Sequence, residues 1–155
     1  MTETTYKKKS HWEDRFQMPT IDQMREDLAE EPLALVDTAR AHILALADLT
    51  EQVTWQGLPW RCVVCYDSPL DDTRALVHLV LNPNAPELAM TFTADMVERL
   101  PMKRLKKHVR DGVLLGRQVA GVYWSSWELA NKTQLQDLLD LVTRKHKLLI
   151  ASSKD

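Results

Sequence analysis

Apolar residues recur at three- and four-residue steps in some stretches of this chain and at every second residue in others, and the changes of period divide it. Ile21, Met24 and Leu28 mark a short amphipathic helix. It is opened by Thr20 with Gln23 three residues on, a spacing at which the hydroxyl and the amide satisfy each other's backbone N–H. Leu35, Val36, Ala39, Ile43, Leu46 and Ala47 predict a longer second helix. Pro32 falls in its first turn, where a missing N–H costs nothing. After Thr50 the period falls to two. Val53 and Trp55 lead into the break Gly57-Leu58-Pro59, and Trp60 to Tyr66 is rich in β-branched and aromatic residues up to the loop Asp67–Asp72. Ala75 to Leu81 reads as a further strand. Leu88, Met90 and Phe92 alternate with Ala89, Thr91 and Thr93 as a half-buried one.

Helical spacing returns over Asp95–Leu100 and Met102–Arg110, interrupted at Pro101 and stopped by Asp111-Gly112. Val113–Leu115 and Gln118–Trp124 predict a last hairpin. Asn131 or Thr133 then caps a final helix with Leu135, Leu138, Leu139, Val142 and Leu149 on its apolar face. Short links between strands imply an antiparallel meander. The expected architecture is α+β: an antiparallel sheet of about five strands, covered on one face by N-terminal, central and C-terminal helices. Residues 19–150 make the domain. Residues 1–18 read as a flexible tail that Trp12 and Phe16 could pin.

Composition narrows the function classes. The 155 residues are 45% apolar and 27% charged, ordinary globular usage. A formal net charge of −2 gives no general attraction to nucleic acid or anionic membranes. No apolar run approaches the ~20 residues that span a bilayer, and the lysines near the N-terminus precede no apolar signal segment. Two cysteines, Cys62 and Cys65, suit a reducing cytoplasm rather than a disulfide scaffold.

Each chemically suggestive group also has a plain structural reading. Cys62 and Cys65 have C-x-x-C spacing, but in a strand residues three apart face opposite ways, so they cannot share a metal; buried inert thiols are expected. Among the histidines, His78 interrupts an apolar strand and falls near Cys65 if the hairpin pairs, whereas His42 and His146 read as helix-surface residues. Lys103 to Arg110 holds five permanent cations, a phosphate-contact pattern that any exposed helix can also show. Glu26, Asp27, Glu30, Glu31 and Asp37 could attract a hard cation, or simply be solvated near helix starts. Tryptophans carry the strongest signal: Trp55 and Trp60 flank one turn, and Trp124 and Trp127 flank Ser125-Ser126. Tryptophans at strand ends cap cores or wall a pocket. The candidate ligand residues are therefore Trp55, Trp60, Arg61, Tyr66, His78, Tyr123 and Trp124.

The order of a helix pair, Val53-Thr-Trp-Gln-Gly-Leu-Pro59, a meander with Leu88-Ala-Met-Thr-Phe92, a helix, a late strand and Leu135–Val142 resembles the YdhG-like superfamily of bacterial α+β domains over residues 19–149. One branch of that superfamily is described as frataxin-like iron chaperones. The resemblance implies iron as the one metal to consider and carries over only Trp55, Gly57 and Pro59, as turn residues. No cofactor is expected from the residues themselves. The leading expectation is a non-enzymatic domain that binds a small molecule or a protein partner, with a homodimer allowed. Iron binding and a nucleic-acid contact through 103–110 are the alternatives.

Overall fold

The computed structural model describes residues 10–57, 60–71 and 75–153. Leu58, Pro59 and Asp72 of the expected turn and loop, and residues 1–9 of the expected tail, lie outside them. The elements run α1 (Ile21–Glu26), α2 (Glu30–Leu46), β1 (Thr50–Trp55), β2 (Cys62–Asp67), β3 (Val77–Val80), β4 (Glu87–Thr93), α3 (Ala94–Arg99), α4 (Lys107–Leu114), β5 (Arg117–Val119), β6 (Val122–Glu128) and α5 (Lys132–Ser153). The α+β architecture is as read from the sequence, but the sheet has six strands, in the order β1-β2-β3-β4-β6-β5, and every pair is antiparallel.

Local chemistry explains the boundaries. Thr20 and Gln23 form the reciprocal capping box of α1. Asn131 accepts from the Gln134 N–H at 2.9 Å and so caps α5. The two-residue turn Ala120-Gly121 between β5 and β6 has φ of 52° and 79°, as a type I′ hairpin turn demands.

Helices cover the face of the sheet that carries Val53, Val64, Leu79, Leu88 and Trp127. Those positions follow from strand register and period-two alternation. Val36, Ala39 and Ile43 of α2 and Leu138, Leu141 and Val142 of α5 are fully buried in the same core. Trp12, in a short 3-10 turn (His11–Glu13), is buried too, and its indole N–H donates to the Trp60 carbonyl at 2.7 Å. Phe16, the other pinning candidate, is 88% exposed.

Three expectations change. Strand β4 is buried on both faces rather than one, because on the side away from the helices Ala89 and Thr91 have the large side chains of His78 and Trp124 as cross-strand neighbours. The segment 102–110 is not one helix. A 3-10 turn at Met102–Arg104 ends at Leu105, Lys106 is extended, and α4 starts on a new axis that buries Val109 and Val113. Helix α4 runs through Asp111-Gly112, and Val113 and Leu114 belong to it rather than to a strand. Gly112 is a packing residue: a Cβ there would overlap the Trp127 indole. That indole also donates to the His108 carbonyl at 3.0 Å. His42 and His146 are not loose on the surface either. His42 contacts Thr143 at 3.3 Å, and the Nδ1 of His146 is buried.

Candidate functional site

Strand alternation separates the seven candidate residues. Tyr66 and Tyr123 belong to the helix-covered face. Tyr66 is fully buried and its hydroxyl donates to Glu51 at 2.8 Å, while Glu51 also holds the Arg40 guanidinium through two bonds of 2.8 Å. Burial first, then Glu51, pushes the Tyr66 phenol above its ordinary value, and Arg40 draws the Glu51 carboxyl below its own. Trp55 shares that face by register and packs against the core. These residues close on themselves.

The opposite face carries Cys65, His78 and Ala89 in one cross-strand row that ends at Ser126, with Trp124 one row away. The chain lies over that face at Trp60, beside which the Gln56 N–H donates to the Arg61 carbonyl at 2.7 Å. It returns to β2 through Arg61, whose φ of 62° is unusual for a side chain of that size. Arg61 lies over the Trp12 ring at 5.2 Å and pairs with Glu13 at 3.5 Å, so it anchors the loop from behind. Trp60 thereby meets His78 and Trp124, with ring centroids 5.8 and 5.6 Å away, and His78 lies 6.0 Å from Trp124, inclined by 25°. Both tryptophans are half-buried, whereas His78 is 4% exposed. Trp60, His78 and Trp124 thus form a cluster; Arg61 supports it, and Trp55, Tyr66 and Tyr123 stand apart.

His78 is held by Cys65, whose Sγ lies 3.3 Å from Nδ1. Burial, and then the charge of Lys145, lower the imidazole from 6.5 to about 4, so it is neutral near pH 7. Burial pushes the Cys65 thiol up as well. A cysteine nucleophile needs the opposite pair of shifts, toward thiolate and imidazolium. This Cys–His contact keeps its proton on sulfur near neutral pH. Sequence reasoning missed two further members of the site, Thr54 and Gln56. Thr54 Oγ1 is 3.0 Å from Cys65 Sγ, and the Gln56 amide donates to Thr54 Oγ1 at 2.8 Å. Only their place in the strand before the turn could have flagged them.

The other candidates do not assemble. Asp37 is paired with Arg25 at 2.8 Å and Asp27 accepts from the His11 N–H at 2.8 Å, which spreads the expected carboxylate group over separate contacts. Among the described residues no group of three or more His, Cys, Asp or Glu side chains gathers as metal ligands. Lys103, Arg104, Lys106 and Lys107 are exposed, but they straddle the break before α4 instead of lining one helix face. A groove of about 820 Å³ runs past Glu30, Leu35, Pro86, Glu128 and Lys132. The two buried polar atoms without a partner among the described residues, Ser125 Oγ and His146 Nδ1, do not line it. No helix is long and apolar enough to cross a membrane among the described residues.

No protein-family model matches this sequence, and no curated protein matches it. The functional reading therefore rests on the geometry of the site.

Proposed function

We propose that this is a non-enzymatic binding domain that takes a small molecule on the Trp60–His78–Trp124 face. The observation that carries the reading is the meeting of two half-buried indoles over a neutral histidine whose Nε2 has no partner among the described residues. Large aromatic surface with a few fixed polar atoms is what small-ligand sites are made of. The neighbouring Cys65 offers no nucleophile, which favours binding over catalysis. An iron chaperone, the function the YdhG-like resemblance raises, would need converging carboxylates, and here Asp27 and Asp37 are engaged elsewhere.

Native mass spectrometry on protein purified gently without chelator, joined to indole N–H NMR, tests the reading. An organic adduct whose removal shifts the Trp60 and Trp124 signals, and which Trp124→Ala no longer retains, is the expected result. An adduct indifferent to Trp124→Ala places the ligand elsewhere and overturns the proposal.

A further inference from the structure

The polar atoms beneath the tryptophans form a chain whose shortest contacts favour one direction. The Gln56 amide nitrogen can only donate, and it donates to Thr54 Oγ1 at 2.8 Å and, more distantly, to Cys65 Sγ at 3.8 Å. Thr54 Oγ1 and Cys65 Sγ lie 3.0 Å apart, and with Gln56 donating to Thr54 the chain continues when the hydroxyl donates in turn to Sγ. The Cys65 proton then has two acceptors at hand, His78 Nδ1 at 3.3 Å and the Val63 carbonyl at 3.9 Å, and the nearer is the ring nitrogen. A neutral imidazole that accepts at Nδ1 must carry its hydrogen on Nε2. This Nε2–H belongs to a side chain only 4% exposed, set between Trp60 and Trp124. Nε2 is not one of the buried polar atoms without a partner, so its hydrogen still reaches solvent and is open to an arriving acceptor.

Charge around the cluster limits what can arrive. Lys145 is close enough to act on His78, and Arg117 stands opposite Trp124 in the register, so a cation is disfavoured at the ring nitrogen. Glu87 and Glu128 face each other across β4 and β6, on the same side of the sheet, one row beyond Ala89 and Ser126, which disfavours an anion there. Resting on the binding role proposed above, we infer that the Gln56–Thr54–Cys65 chain fixes His78 as an Nε2–H donor, and that the ligand is an uncharged planar ring with an in-plane acceptor, stacked on Trp60 or Trp124. In this arrangement Cys65 is a positioning residue for the histidine tautomer.

Two measurements test it. Long-range ¹H–¹⁵N spectra of the free protein at pH 7.5 read the tautomer directly: the Nε2–H form is expected, and an Nδ1–H form overturns the inference without any ligand. Three ring-matched probes, isoquinoline, naphthalene and N-methylisoquinolinium, then separate acceptor, ring and charge. Isoquinoline is expected to bind about five- to tenfold more tightly than either of the others, the worth of one neutral hydrogen bond. Cys65→Ser, which keeps a donor, should retain that preference and Cys65→Ala should lose it. Equal affinity for all three probes overturns the acceptor inference and leaves the binding face standing. Absence of any shift in the Trp60 and Trp124 indole signals with all three overturns both.

Discussion

The two faces of the central sheet treat polarity differently. On the helix-covered face, Arg40, Glu51 and Tyr66 form a closed group in which both carboxylate oxygens are engaged. One residue along, on the opposite face, Cys65 and His78 form a chain that ends on an unclaimed nitrogen beside two half-buried indoles. Glu51 and Gln52 pair with Tyr66 and Cys65 in neighbouring register, so a shift of one position separates the closed group from the open one. A buried polar group that is fully satisfied holds structure together. A donor that still reaches solvent beside apolar rings is where a protein has kept capacity for something else.

Four perturbations would break or sharpen this contrast. Gly112→Ala strikes the covered face by forcing a methyl into the Trp127 indole, and is expected to cost about 2–3 kcal/mol in urea unfolding. Ligand response on the other face should survive in the folded fraction. Acid separates the faces next. His78 is held below its unfolded value of 6.5, at about 4, so the unfolded chain takes up its proton first and stability falls as pH drops from 6.5 toward 4, by up to ~3 kcal/mol. Glu51 is also depressed, but from 4.5, so its contribution is present above that pH and is lost only further into acid. His78→Gln should flatten the upper window and Glu51→Gln the lower, as read by denaturant titration at stepped pH. Trp124→Ala, on the half-buried open side, should cost about 2–3 kcal/mol of stability, leaving a folded protein that has lost the ligand-induced fluorescence change. Should Trp124→Ala instead unfold the protein, Trp124 serves the core and the contrast fails. Tyr66→Phe removes one hydrogen bond from the closed group and is expected to cost about 1–2 kcal/mol at pH 7.

Most of the fold was legible because periodicity reports burial. The capping box at Thr20, the stripe of α2, the strands after Thr50 and the cap at Asn131 all follow from local pattern. The misreadings have a shared cause. Asp111-Gly112 looks like a helix stop until the Trp127 indole, fifteen residues later in the chain, is seen to need the space. Phe92, Met90 and Leu88 suggest a strand buried on one side, and only the cross-strand neighbours His78 and Trp124 cover Ala89 and Thr91 on the other. The site was legible in part. Trp60, His78 and Trp124 stood out by type, yet Tyr66 and Tyr123 were grouped with them because residue type does not reveal which face a strand position takes. Register decides that, and register is tertiary.

Lys145 has a consequence for how the chain is made. Its ammonium, 1% exposed in the middle of α5, donates to the carbonyls of Ala75 and Leu76 at 3.2 and 2.8 Å and lies 5.5 Å over the Phe92 ring. A ribosome producing this protein releases those carbonyls 69 to 70 residues before the amine that binds them. At ordinary elongation rates that is a wait of roughly 3–14 s. During it the sheet's apolar side has no final helix to close it, so nascent chains halted before α5 should be the ones that chaperones hold longest.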